Sequence, residues 1–193
     1  MLKKLVVGYI QSNCYILGCP KTNEGLVIDP GDDTTRIVKE ISKSNLTIRY
    51  ILLTHYHFDH AGSALELRDI TKAPVLIHQL DAPGLSFKPD GYLYDGQQIT
   101  VGSYELSILH TPGHTPGGIS IHAPGAVFTG DALFADSIGR TDLAGGDYHQ
   151  LIEGVRKKIF PLGDELRIYP GHGPASTIGR EKLANPFFSG QGN

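Results

Sequence analysis

The stretch Thr54-His55-Tyr56-His57-Phe58-Asp59-His60 constrains this chain more than any other. Three imidazoles and a carboxylate fall within six residues, directly after Tyr50-Ile51-Leu52-Leu53, an apolar run that reads as a buried strand. While the backbone is still extended, His55 and His57 point to the same side. Asp59 and His60 follow where the chain turns into a helix, expected over Ala61 to roughly Ile70, and can aim at a second point nearby. One short segment can therefore serve two adjacent metal ions. Imidazole and carboxylate together suit zinc, iron or manganese.

Other ligands must come from elsewhere in the chain. Residues 2–7, 13–18 and 26–28 read as strands, the third closing at Asp29-Pro30-Gly31. Thr34 to Ile41 has helical apolar spacing at Ile37, Val38 and Ile41, and residues 74–78 form another strand. Residues 79–98 carry Pro83, Gly84, Pro89, Gly91 and Gly96 and read as a long loop, a candidate lid or substrate wall. A hairpin is expected over 99–109, then strands at 119–122 and 126–129, the latter ending at Gly130-Asp131. A helix capped by Asp147 runs to Lys157. A last strand at 166–169 ends in Pro170-Gly171-His172, and a short helix covers about 178–184. Alternating strands and helices argue for an α/β layered fold.

The 193 residues suit one domain spanning 1–193, with bulk for a sizeable core. A net charge of -3 gives no nucleic-acid surface. No apolar run approaches the roughly 20 residues of a membrane span. Cys14 and Cys19 make no disulfide framework, and Cys14 reads as a buried thiol. These features fit a cytoplasmic protein that uses neither nucleic acid nor membrane; nothing in them sets an oligomeric state.

A two-ion site needs about six or seven protein groups. Those at loop or strand ends are His55, His57, Asp59, His60, His114, Asp131 and His172. His114 stands on a backbone stiffened by Pro112-Gly113 before it and Thr115-Pro116-Gly117 after it. His78, His110, His122 and His149 read as structural. Asp29 has two readings: it caps its turn, or it fixes the tautomer of a metal ligand.

The pattern His55-Xaa-His57-Xaa-Asp59-His60, followed by His114, Asp131 and His172, resembles the metallo-β-lactamase superfamily. Within it, Gly130-Asp131-Ala132-Leu133-Phe134, Ser137-Ile138-Gly139-Arg140-Thr141-Asp142 and Tyr169-Pro170-Gly171-His172-Gly173-Pro174 look like the glyoxalase II group, the hydroxyacylglutathione hydrolases. Asn185-Pro186-Phe187-Phe188 looks like its short bacterial members. The resemblance implies an αββα sandwich with two divalent metal ions, zinc by first expectation, at one edge. It assigns His55, His57 and His114 to one ion, Asp59, His60 and His172 to the other, and Asp131 as the bridge, with Asp29 in support.

The resemblance also implies a reaction. A hydroxide shared by the two ions attacks a thioester carbonyl such as that of S-lactoylglutathione, with Asp59 orienting the attack or taking its proton. Arg140 stands at the family's glutathione-binding Lys position and can grip a carboxylate, or instead pair with Asp142 or Asp136. Asp142 stands where the family carries a Tyr. Only 21 residues follow His172, so the family's helical C-terminal domain is expected to be absent. The alternative activities are a mononuclear iron persulfide dioxygenase, whose relatives share Gly139-Arg140-Thr141-Asp142, and a lactonase. A non-catalytic metal-binding protein is the remaining class, disfavoured because such a ligand set leaves coordination positions open.

Overall fold

The computed structural model describes residues 1–189, so the last four positions of the 1–193 span lie outside the described residues. Two six-stranded sheets each keep their strands in sequence order. The first holds β1 (Leu2–Val7), β2 (Ser12–Gly18), β3 (Glu24–Ile28), β4 (Thr47–Leu52), β5 (Val75–His78) and β6 (Gly91–Leu93). The second holds β7 (Gln98–Val101), β8 (Tyr104–His110), β9 (Ile119–Ala123), β10 (Ala126–Gly130), β11 (Arg167–Pro170) and β12 (Ser176–Thr177). The helices are α1 (Thr34–Lys43), α2 (Phe58–Ala61), α3 (Ala64–Thr71), α4 (Tyr148–Gly154) and α5 (Ile178–Ala184).

Alternation along the strands sorts side chains into three cores and so sets the layers. Leu26, Ile28, Leu52 and Phe128 meet Leu106, Ile108 and Ile121 between the two sheets. Their neighbours Val27 and Ile51 face the other way, onto Ile37 and Ile41 of α1 and Leu67 of α3. Val127 and Ile168 pack against Leu151 of α4 and Ile178 of α5. The order is helix, sheet, sheet, helix, the αββα sandwich that the family resemblance implies. β3 to β6 run parallel, as do β10 and β11, so their C-terminal ends gather loops at one edge, where open α/β sheets place their ligands.

Three elements differ from the expected ones. The helix expected from Ala61 to Ile70 is split into α2 and α3, because the Ser63 amide donates to Pro30 O at 2.9 Å instead of continuing the helical ladder. The 79–98 loop contains a short 3₁₀ turn at Ala82–Gly84 and the edge strand β6, parallel to β5. Asp90 anchors that strand by exchanging hydrogen bonds with Val75. The helix after Asp147 is α-helical only to Gly154 and continues as one π turn over Val155–Ile159; Asp147 caps it as expected, accepting from Gln150 N at 3.0 Å. Among the described residues no helix is long and apolar enough to cross a membrane.

Candidate metal centre

Four loops deliver seven groups to one edge of the sandwich. β4 leads into His55, His57, Asp59 and His60; the β8–β9 loop carries His114; β10 ends at Asp131; β11 ends at His172. His55, His57 and His114 form one cluster, and Asp59, His60 and His172 a second. The two adjoin, with the His55 and His60 rings 4.2 Å apart. Asp131 lies between them, its Oδ2 3.6 Å from His114 Nε2 and 3.6 Å from His172 Nε2. The four histidines read as structural stay outside both clusters: His78 stacks on His110 at 4.2 Å, and His110 Nε2 meets Pro116 O at 3.0 Å.

Hydrogen bonds behind the rings decide which nitrogens face inward. His114 Nδ1 lies 2.7 Å from the Arg140 carbonyl, which only accepts, so Nδ1 carries the proton and Nε2 presents its lone pair. His60 Nδ1 meets Asp29 Oδ2 at 3.0 Å, with the same consequence for its Nε2. Both Asp29 oxygens are already engaged, by the Thr54 amide at 2.7 Å and the Thr54 hydroxyl at 2.6 Å. Asp29, His55 and His60 form a third close grouping, in which the Asp29 oxygens are already taken up by Thr54 and His60.

The cluster fits a cation. His57 Nδ1 faces His114 Nε2 across 2.9 Å, and His60 Nε2 faces His172 Nε2 across 3.2 Å; each pair needs a proton or a cation between its nitrogens. His55 Nε2 and Asp131 Oδ1 are buried with no hydrogen-bond partner. Buried polar atoms without a partner are rare and costly, and two of the three among the described residues belong to this cluster, the third being Asn13 Oδ1. Imidazole nitrogen with carboxylate oxygen is the donor set of zinc and non-haem iron.

Burial, helped by the surrounding imidazoles, pushes the His55 pKa well below its ordinary value, so that ring is neutral and available as a donor. Burial and His114 lower His57 likewise, against Asp131 and Asp59. At His60 burial opposes charge, but Asp131, Asp29 and Asp59 outweigh it and raise the pKa to about 9. Burial works to raise Asp59, yet His172 and His60 bring it below the ordinary carboxylate value. With no ion bound, His60 therefore holds a proton beside the ionised Asp59, and an ion at Nε2 would take that proton's place.

The supporting contacts were mostly invisible in the sequence. Pro170 O accepts from Tyr15 Oη at 2.6 Å and Asn13 Nδ2 at 2.9 Å, so β2 of the first sheet fixes the loop carrying His172. Ser12 Oγ donates to Asp59 O at 2.5 Å. A Cβ on Gly171 would lie 2.1 Å from Asp131 Oδ1 and 2.7 Å from His60 Cε1, so only glycine fits beside Asp131. Arg140 does not reach into the cluster. Its exposed guanidinium takes both oxygens of Asp142, at 3.0 and 2.9 Å, while Arg180 pairs with Asp136.

The model of the metallo-beta-lactamase superfamily matches residues 7–172. The hydroxyacylglutathione hydrolase GloC of Haemophilus influenzae is 36% identical over 199 residues, covering 93% of each chain. Among solved structures, the BLEG-1 B3 metallo-beta-lactamase superposes with a TM-score of 0.91 at 36% identity, over 98% of this chain and 100% of that one. ETHE1 from Myxococcus xanthus gives 0.91 at 31% identity, over 98% and 85%. The family match runs from the end of β1 to His172, the last group of the cluster, and on that ground the chain belongs to the metallo-beta-lactamase superfamily.

Proposed function

We propose that this chain is a dinuclear metal-dependent thioester hydrolase of the glyoxalase II kind, acting on substrates such as S-lactoylglutathione. The observation that carries this reading is Asp131, a single carboxylate with one oxygen at 3.6 Å from a nitrogen of each half-site. His55, His57 and His114 would hold one ion, Asp59, His60 and His172 the other, and Asp131 would touch both. When bound, two divalent ions supply Lewis acidity and bring the pKa of water to about 7.

The chain's own groups do the rest. Asp59, ionised and 3.2 Å from His172 Nε2, orients the attacking water and takes its proton. The water oxygen bonds to the thioester carbonyl carbon, the carbon–sulfur bond breaks, and the sulfur leaves as thiolate, which needs no strong general acid. Tyr9, Ile10 and Phe58 form an exposed apolar rim adjoining Asp59, suited to the acyl side of the substrate. Arg140 is the group for the glutathione carboxylates, in exchange for Asp142.

The relative named a hydroxyacylglutathione hydrolase supports the substrate class. The test is hydrolysis of S-lactoylglutathione by the metal-loaded protein and by Asp59→Ala and His57→Ala. Losses of at least about 100-fold in both variants, with native circular dichroism, are expected. Normal turnover in either metal-loaded variant contradicts the assignment.

A further inference from the structure

A second buried aspartate, outside the cluster, stands opposite Asp29. β3 and β5 flank β4, the strand that feeds the histidine segment, and each is followed by an aspartate that grips a ligand loop. Asp29 follows β3 and holds Thr54 and His60. Asp81 follows β5 and is 1% exposed. Its Oδ2 accepts from Thr115 Oγ1 at 2.7 Å and its Oδ1 from Gly117 N at 2.6 Å. A Cβ on Gly117 would lie 2.6 Å from Asp81 N and 2.7 Å from Asp81 Cγ, so loop and carboxylate are in closest contact.

The loop needs such an anchor. His114 sits between Pro112 and Pro116, whose nitrogens donate no hydrogen bond, so the backbone around it has fewer ways to hold itself. Asp81 brackets Pro116 by binding the residue on either side. The turn after Asp81 also packs on the other segment that serves the same half-site: a Cβ on Gly84 would lie 2.4 Å from the ring of Tyr56, the residue between His55 and His57. All of these contacts touch segments carrying His55, His57 and His114. None touches Asp59, His60 or His172.

We propose that Asp81 is a positioning residue for the His55/His57/His114 half-site alone, and that it sets where His114 presents Nε2. This inference rests on the dinuclear reading above. Residues that orient metal ligands are worth about 10–100-fold in metal affinity. Asp81→Ala strips two donors of their acceptor and frees the loop. Asp81→Asn keeps an acceptor for Gly117 N and can meet the Thr115 hydroxyl with its amide, so it restores most of the effect.

The experiment is competition of zinc against a chromophoric chelator, in wild type, Asp81→Ala, Asp81→Asn and Thr115→Val, with thermal melts of the metal-free forms. Two zinc ions per wild-type chain are expected, one of them weakened about 10–100-fold in Asp81→Ala, the other within about threefold, and near-complete recovery in Asp81→Asn. Thr115→Val removes one of the two hydrogen bonds and gives the same selective loss at smaller amplitude, which carries the test if Asp81→Ala does not fold. Equal weakening of both ions, as a general loss of stability would give, overturns the inference, and so does no weakening of either. A wild type that takes up no zinc overturns the dinuclear reading and this inference with it.

Discussion

Thr54 gives both its amide and its hydroxyl to Asp29, at 2.7 Å and 2.6 Å, and the same carboxylate meets His60 Nδ1 at 3.0 Å. Asp29 has φ of 52°, a left-handed conformation that aspartate tolerates better than most residues, and this turns its carboxylate back toward the end of β4. Asp29→Ala leaves the buried Thr54 amide unpaired, at a cost of about 1–3 kcal/mol, and releases the His60 tautomer. Chemical denaturation should show that loss, and zinc competition a weakening of about 10–100-fold. Unchanged stability and affinity would show that Asp29 does no more than close its turn.

Gly171 allows the Asp131 and His172 loops to touch. Gly171→Ala is expected to lower thioester turnover at least about 100-fold, because the added methyl displaces Asp131 or His60 by an ångström or more. Gly154→Ala is the control, since its Cβ would meet nothing nearer than 3.6 Å and the position is helical. It should keep full activity and gain up to about 1 kcal/mol of stability. Equal activity in the two variants would contradict the close-packed bridge.

In the metal-free protein, His55 and His60 bend the stability profile from opposite sides. Burial and its imidazole neighbours hold the folded His55 pKa well below 6.5, so the unfolded chain binds that proton more readily and stability falls as pH drops below 6.5. His60 has its folded pKa raised to about 9, so its contribution is complete below 6.5 and is lost as pH rises through about 9. Melting temperatures of chelator-treated protein should therefore peak near pH 6.5 and decline on both sides. A steady rise through pH 9 would refute the charge assignment of His60.

Much of this was legible before folding. His55, His57, Asp59 and His60 are local to one strand end, and His114, Asp131 and His172 each sit beside glycines or prolines that mark a turn. The α/β layering followed from strands alternating with helices, and the αββα order from the family resemblance. Asp81 was not legible, because its partners Thr115 and Gly117 lie 34 and 36 positions away and nothing local marks them. β6 was hidden by its three-residue length, below what a periodic pattern can show. The break between α2 and α3 comes from Pro30, which only the folded chain brings to Ser63.

The fork between Arg140 and Asp142 bears on substrate choice. Both side chains are exposed, at 67% and 69%, so the pair is readily exchanged for a substrate carboxylate. Asp142→Asn should lower KM for S-lactoylglutathione severalfold while leaving kcat and the KM of an uncharged thioester unchanged. An equal change for both substrates would remove Arg140 from the recognition of glutathione.

The central claim, a two-ion hydrolase, is tested most directly by counting metals on the purified protein while following S-lactoylglutathione hydrolysis under air and under nitrogen. About two ions per chain, with hydrolysis at the same rate in both atmospheres, is the predicted result. A single iron per chain, with no thioester hydrolysis and with oxygen consumed only when glutathione persulfide is added, would contradict it in favour of the dioxygenase.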